Sequence, residues 1–245
     1  MSWKIGLIGT GNIAAFWATN LTKVKGVTLY VKGSDLTKSI EFSTTYGIHL
    51  ADEKSAIDCY FVCVQDRNIC EAIASLEDSI PVFVCAGLFS ISTYQHRPIG
   101  IIYPLQTIQA QALPSIDEVP FLCEFNKKAH EFGNKLLMQL SLNFTMLNEE
   151  ARFASHLAAV FINNFGYFVM KKGIKHAESH QIPVDLFEFL ISKTVSNILK
   201  NNDLQTGPAK RNDVVTIEKH KEMLRGQSLE LYEFLTAQIK SDHTP

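Results

Sequence analysis

The sequence lacks an excess of charge of either sign. Its 23 lysines and arginines nearly balance its 25 aspartates and glutamates, which leaves a formal net charge of −2 at pH 7. Basic residues do not form a stripe anywhere along the chain. Because nucleic acids and anionic membrane surfaces attract proteins through such stripes, we expect neither as a partner.

Paired cysteines and metal motifs are also absent. The five cysteines are odd in number, form no C-x-x-C motif and mostly lie in apolar runs, where a free cysteine behaves as a small hydrophobic side chain. His176 and His180 are spaced as i and i+4 but lack the H-E-x-x-H pattern. We therefore expect no disulfide, no metal site and a reducing compartment. Since a strand pattern begins at Lys4, a signal peptide does not fit, and a cytoplasmic protein is expected.

A long run free of polar residues is missing too. The most apolar segment, from Ala151 to Met170, is interrupted by Arg152, His156, Asn163 and Asn164. These groups would be costly in hydrocarbon. The segment therefore predicts a buried helix of a soluble protein rather than a membrane span.

What the sequence does contain is an alternation of strand and helix patterns. Strands are predicted at 4–8, 27–31, 48–50, 58–64, 81–85, 100–102, 121–125 and 143–147, and helices at 12–23, 40–46, 68–76 and 127–140. Such alternation is typical of βαβ units and a parallel sheet. We predict an α/β fold in which residues 1–148 form a doubly wound, Rossmann-type sheet.

After residue 148 the strand patterns disappear. Helices are predicted at 150–178, 184–200, 214–225 and 227–241, so residues 149–245 form an all-α domain. The first of these helices is apolar on nearly all sides and should be buried all round. Because so small a domain can hardly enclose it, we expect a homodimer formed through the C-terminal helices.

The turn after the first predicted strand carries a dinucleotide-binding signature. Residues 9–14 follow the pattern G-x-G-x-x-A. Gly9 permits a tight turn, Gly11 lets a pyrophosphate approach the backbone, and Ala14 allows close packing of helix on strand. The predicted pyrophosphate-binding residues are Gly9, Thr10, Gly11, Asn12 and Ile13. A tight turn without a ligand is the alternative interpretation.

The ends of the later strands predict the rest of the cofactor site. An NAD site usually has an acid after the second strand, whereas this chain has Lys32 and Ser34, with no acid before Asp35. A cation and a hydroxyl suit a 2′-phosphate, so NADP(H) is favoured over NAD(H); the alternative is that Lys32 is a solvated loop residue. The residues expected on the nicotinamide side are Val64, Gln65, Ala86 and Gly87.

Three further segments carry a resemblance. They are Tyr103-Pro-Leu-Gln-Thr, His156-Leu-Ala-Ala-Val-Phe followed by Asn164-Phe165, and Thr206-Gly-Pro-Ala-Lys-Arg-Asn-Asp followed by Thr216 and His220. Together they resemble a bacterial group of Rossmann-like proteins with a helical second domain of unknown function. The N-terminal half resembles the dinucleotide domains of pyrroline-5-carboxylate reductase, ketopantoate reductase and deazaflavin-dependent NADP reductases. The resemblance implies a dimeric oxidoreductase.

The chain departs from that group at three places. Tyr103 stands where the group usually has histidine, Cys85-Ala86-Gly87 stands after the fifth strand where the group usually has His-x-Ser-Gly, and Asn212 replaces a glycine. Because two histidines and a serine are lost, the shared acid–base chemistry is open. A catalytically inactive sensor or scaffold that binds the dinucleotide is therefore the alternative to an enzyme.

The catalytic candidates are His156, Asn164 and Arg211. The resemblance to two-domain reductases implies that the helix bearing His156 faces the nicotinamide, where this histidine would donate a proton and Asn164 would hold the same substrate atom. Arg211 would anchor an acidic group of the substrate. The alternatives are a hydrogen-bonded core histidine and an arginine in an interdomain salt bridge. The predicted function is NADP(H)-dependent hydride transfer to or from a small carbonyl or imine.

Overall fold

The structure is a computed structural model that describes residues 2–52, 54–200 and 204–243. By its internal contacts the chain divides into two compact units, Met1–Asn164 and Phe165–Pro245. The domain boundary is predicted after Asn148, where strands give way to helices. The first compact unit extends beyond this point, through the helix that follows, and ends at Asn164. The predicted domain boundary stays a prediction.

The first unit is built on one sheet of eight strands within the described residues. The strands are β1 (Trp3–Ile8), β2 (Val27–Lys32), β3 (His49–Leu50), β4 (Cys59–Val62), β5 (Val82–Val84), β6 (Ile99–Pro104), β7 (Phe121–Phe125) and β8 (Phe144–Met146). Their order is β3-β2-β1-β4-β5-β6-β7-β8. Among the pairs formed by these eight described strands, β6–β7 alone is antiparallel. The predicted doubly wound sheet is confirmed.

Helices cover the sheet of this unit. They are α1 (Asn12–Leu21), α2 (Leu36–Tyr46), α3 (Ile69–Ala74), α4 (His130–Gln139) and α5 (Glu149–Ala159), with short 3₁₀ turns at Asp66–Asn68 and Ile116–Glu118. The centre of the core is aromatic: the Trp17 ring of α1 lies 4.7 Å from Phe61 and 5.4 Å from Phe121. The middle strands are apolar throughout because both of their faces are buried.

The second unit is helical, as predicted. Its helices are α6 (Gly166–Ser179), α7 (Glu188–Leu199), α8 (Val214–Glu222) and α9 (Gln227–His243), with a 3₁₀ turn at Val184–Phe187 between α6 and α7. The Asp213 side chain caps α8, and Gly226, with φ +54°, separates α8 from α9. The buried hydrophobic residues among those described in this unit are Ala177, Ala209 and Ile217. The unit therefore has almost no core of its own.

The long helical stretch Glu149–Ser179 joins α5 to α6 through a π-helical turn at Val160–Phe165. It is long and apolar enough to cross a membrane by length and composition alone, with a mean hydropathy of 1.2. None of its most apolar window is buried within the single chain. One copy of the chain therefore does not provide the burial that the sequence predicts for this helix.

Candidate functional site

The turn between β1 and α1 begins with a glycine that no other residue can replace without strain. Gly9 has φ +115°, and its N–H donates to the Lys32 carbonyl at 2.9 Å. A Cβ atom at this position would lie 3.1 Å from the carbonyl oxygen of Cys63. Because L side chains rarely adopt this φ, the turn depends on glycine.

The second glycine of the turn matters for the open space around it and not for an unusual backbone conformation. Gly11 has φ −88° and ψ −170°, which any residue adopts, and no atom lies within 4 Å of a Cβ built there. Gly11 is the N-cap residue of α1, and no side chain caps the first N–H groups of this helix. Since those N–H groups lack partners inside the helix, the space at Gly11 fits an anion such as a pyrophosphate.

The neighbouring residues of the signature frame this space. Thr10 is half-buried, and Ile13 packs against the core. Asn12 is exposed, and its side-chain oxygen accepts a hydrogen bond from the Ala110 N–H at 3.3 Å. The signature therefore occupies the strand–turn–helix context that its binding chemistry needs.

The end of β2 presents a cation and no available acid. Lys32 and Ser34 are exposed, and Lys32 forms no ion pair within the described part of the chain. The carboxylate of Asp35 instead accepts from the Lys38 N–H at 3.1 Å and caps α2. Capping α2 gives this carboxylate a structural role, so its position after β2 does not by itself indicate a hydrogen bond to a cofactor ribose.

The strand order reverses at β1, which has β2 on one side and β4 on the other. In an open α/β sheet, ligands bind in the crevice outside the carboxyl ends of the strands at this point. Val64 follows β4 here, and its Cγ1 lies 3.2 Å from the position of a Cβ on Gly9. Gln65 is exposed at the same edge, while Ala86 and Gly87 follow β5.

A tyrosine and a histidine meet against Gly87. The Tyr103 hydroxyl of β6 lies 3.1 Å from Nδ1 of His156 on α5. A Cβ on Gly87 would stand 2.7 Å from that nitrogen and 3.0 Å from the tyrosine ring. Burial raises the pKa of Tyr103, and the negative charge of Asp66 adds to this effect. The structure thus places His156, a candidate catalytic residue, next to Gly87, a residue expected on the nicotinamide side of the cofactor site.

A buried arginine fixes the backbone beside this pair. Arg152 lies one turn before His156 and is fully buried. Its Nη2 is 2.8 Å from a carboxylate oxygen of Glu124 and 2.8 Å from the Phe89 carbonyl oxygen, while Nη1 donates to the Gly87 carbonyl. The sequence analysis missed this role, although a cation inside an apolar helix was the available signal.

The π-helical turn carries the second catalytic candidate. Asn164 is exposed there, and its neighbour Asn163 donates a side-chain hydrogen bond to the Thr107 hydroxyl. Turns of this kind are frequent at functional sites. The role proposed for Asn164 stays a prediction.

Arg211 belongs to the second unit and is exposed just before α8. The next residue, Asn212, has φ +54°, a left-handed conformation that asparagine tolerates better than most residues. This explains how asparagine can replace the glycine usual in the related group. Asp213 then accepts from the Thr216 N–H at 3.1 Å, which lowers the pKa of its carboxyl. The substrate-anchoring role of Arg211 stays a prediction.

Residues 119–239 match the family model described as "Domain of unknown function (DUF2520)". No curated protein matches the sequence. Three solved structures are similar to the chain over nearly its whole length.

The first is a candidate NADP oxidoreductase from Bacteroides fragilis, with 25% identity, 98% of both chains covered and a TM-score of 0.83. A pyrroline-5-carboxylate reductase from Streptococcus pyogenes has 15% identity, with 98% of this chain and 99% of the other covered and a TM-score of 0.63. A reductive aminase from Aspergillus terreus, in complex with NADPH and ethyl levulinate, has 14% identity, with 99% and 95% covered and a TM-score of 0.71. The last two show the shared fold. The predicted resemblance is confirmed: along almost its whole length the chain resembles Rossmann-type NADP oxidoreductases, and its residues 119–239 match the domain of unknown function.

Proposed function

We propose that this protein is a cytoplasmic, NADP(H)-dependent oxidoreductase that transfers hydride to or from a small carbonyl or imine substrate. The observation that carries the proposal is the open, uncapped helix start at Gly11, on the same sheet edge as Gly87 and the Tyr103–His156 pair. The similar structures described as an NADP oxidoreductase and a reductive aminase support the reaction class. The five free cysteines, four of them buried, are compatible with a reducing compartment.

The residues present fit a dinucleotide. The N–H groups at the start of α1 would bind the pyrophosphate, because Gly11 leaves their approach open. Lys32 and Ser34 would bind the 2′-phosphate of NADP(H). This preference is supported by Asp35, the first acid after β2, because its carboxylate caps helix α2 by accepting from the Lys38 N–H.

The reactive end of the cofactor would lie along Val64, Gln65, Ala86 and Gly87. A bound nicotinamide supplies the hydride, which adds to the carbon of the substrate's C=O or C=N bond. The electron pair of the substrate's π bond moves to the oxygen or nitrogen, and His156 donates a proton to that atom. In the reverse direction, His156 accepts the proton from the same atom. Asn164 would hold the same atom. Arg211 would bind an acidic group of the substrate.

A second copy of the chain would cover the exposed apolar helices. In the described residues, Ile162, Tyr167, Phe189 and Leu199 are each more than 60% exposed. Apolar surface of this extent marks an interaction site, and the near absence of buried apolar residues in the second unit argues for an association that completes its core. The proposed occupant is a second copy, since symmetric dimers are the commonest soluble assemblies.

A binding-only protein is the second candidate. It is favoured by Cys85 and Ala86, because the related group usually has a histidine and a serine after this strand. Such a protein would bind NADPH and never oxidise it. A reproducible rate of NADPH oxidation with any substrate would exclude it.

The test is a turnover assay with NADPH and a panel of small ketones and cyclic imines. We expect oxidation of NADPH by the unaltered protein and a loss of about 100-fold or more in kcat for His156→Gln, as for a missing general acid. The control is His130→Gln, at an exposed residue that begins helix α4, and this variant should keep full activity. Unchanged turnover in His156→Gln would remove the assignment of this residue.

A further inference from the structure

We infer that the second unit contains a binding site for a small carboxylic acid with an apolar body. Helices α6, α8 and α9 of this unit surround an open cavity of about 450 Å³, which is a usual size for a small-molecule site. The described residues that line the cavity include none of those proposed for the cofactor or for catalysis. The site is therefore additional to the proposed function.

Most of the cavity wall is apolar. Val169 of α6, together with Leu231 and Leu235 of α9, contributes to it. Val169 is 40% exposed in the single chain, so the cavity stands where a helical unit of this kind would otherwise have a packed core. Because apolar surface is stabilised when it leaves water, the wall favours an occupant with an apolar body.

A glycine inside α6 leaves room for this occupant. Gly173 lines the cavity, and no atom lies within 4 Å of a Cβ built there. It has an ordinary helical conformation rather than a positive φ. Glycine lowers the stability of a helix interior relative to alanine. Since neither the backbone nor a neighbouring atom requires glycine at this position, the space beside it is the feature that needs an explanation.

The charge of the lining favours an anion. Lys172 and His176 line the cavity from α6, where a spacing of four residues places them on one face of the helix, and His220 lines it from α8. The described lining residues include no aspartate or glutamate. The Lys172 ammonium group lies 5.4 Å from the centre of the Phe168 ring and forms no ion pair with any described residue.

The two histidines add hydrogen-bonding nitrogens. Nδ1 of His220 lies 2.9 Å from the Tyr232 hydroxyl, which leaves Nε2 without a partner in the described part of the chain. The His176 ring lies 4.5 Å from the His180 ring and forms no hydrogen bond with a described residue. An imidazole N–H donates to a carboxylate oxygen. His220 was singled out by the sequence resemblance, and the proposed function gives it no role.

A single negative charge suits this lining best. Lys172 is the one permanently charged residue among the described residues of the wall. Glu218 and Glu233, on α8 and α9, pair with Lys221 at 3.2 and 3.1 Å, so Lys221 balances these acids. A phosphate monoester carries nearly two charges at neutral pH, and an unbalanced charge against an apolar wall is costly. A carboxylate therefore fits better than a phosphate.

The experiment is a calorimetric titration of the full chain with octanoate, and with 1-octanol as a neutral probe of the same chain length. We expect octanoate to bind about 10-fold or more tightly than octanol, because a charged hydrogen bond adds to the same apolar contacts. Lys172→Met keeps the length of the side chain and should remove this difference. Lys171→Met is the matched control, since the exposed Lys171 is the adjacent residue of α6 and faces another direction.

Gly173→Leu tests the cavity itself. Leucine is a better helix former than glycine, so circular dichroism should show that α6 is kept, while the added side chain should weaken octanoate binding about 10-fold or more by occupying the space. The inference would be overturned by an unaltered protein that binds octanoate no better than octanol, or by undiminished octanoate binding in Lys172→Met or Gly173→Leu. A second copy of the chain is the competing occupant. A change of mass in Gly173→Leu, measured by light scattering, would assign the cavity to that copy and would also overturn the inference.

Discussion

At the scale of single residues, the two glycines of the first turn make different demands. Gly9 has φ +115° and a backbone oxygen 3.1 Å from any added Cβ, whereas Gly11 has an ordinary conformation and open space. We predict that Gly9→Ala lowers the free energy of unfolding by about 1–3 kcal/mol, while Gly11→Ala leaves it nearly unchanged or slightly higher. Urea denaturation of both variants measures this difference. Equal losses would contradict the distinction between a folding glycine and a binding glycine.

Some residues of the candidate site can be predicted from the sequence, and others cannot. The glycines, Lys32 and Ser34 were found because each stands at a fixed place after a strand, where its chemical purpose follows from the fold. The contact of Tyr103 with His156 joins positions 53 residues apart, and no local pattern indicates that they meet. Tyr103 was visible only as a departure from a related group.

At the scale of elements, the Arg152–Glu124 pair ties α5 to β7 and to the backbone after β5. The guanidinium is fully buried, and Glu124 is 20% exposed. We predict that Glu124→Gln lowers the free energy of unfolding by about 3–5 kcal/mol, because it leaves a buried cation without its counter-charge. Chemical denaturation followed by circular dichroism measures the loss.

The control for this prediction makes the same chemical change on the surface. Glu131→Gln removes a pair with Lys135 in which both side chains are exposed, and surface pairs contribute little. Glu131→Gln should therefore lower the free energy of unfolding far less than Glu124→Gln does. Similar losses in the two variants would mean that Arg152 does not depend on Glu124.

The strands themselves were the easiest elements to predict. The central strands β4 and β5 lie in apolar runs, since a strand buried on both faces must be apolar throughout. The π-helical turn at Val160–Phe165 was not predicted, because an apolar helix has no sequence signal for one wider turn. The helix predicted at 150–178 extends over Glu149–Ser179, and its exposure in a single chain agrees with the expectation that one chain can hardly enclose it.

At the scale of the whole molecule, the proposed dimer makes a direct prediction. The mass in solution, measured by light scattering during size-exclusion chromatography, should be twice the 27.5 kDa of the chain. Ile162→Glu, at a residue 77% exposed in the single chain, should shift the mass toward the monomer, because a carboxylate would be buried in the interface.

Met138→Glu is the control for this variant. Met138 is 73% exposed but lies on α4, outside the apolar helical stretch Glu149–Ser179, so its substitution should leave the mass unchanged. A stable monomer of the unaltered protein would contradict the proposed dimer. The sequence indicated the need for association through one helix that is apolar on all sides, but it carries no pattern that defines the contacting surface.

The most direct test of the central claim, a dinucleotide site at the β1–α1 turn, is a fluorescence titration with NADPH and NADH. We expect the unaltered protein to bind NADPH more tightly than NADH. Gly11→Glu should fold normally, because its φ is ordinary and its space is open, and should bind neither. Lys32→Ala should weaken NADPH binding by about 10- to 100-fold and spare NADH, while Lys25→Ala, before the other end of β2, should change nothing. Failure of the unaltered protein to bind any nucleotide, or undiminished binding by Gly11→Glu, would contradict the account.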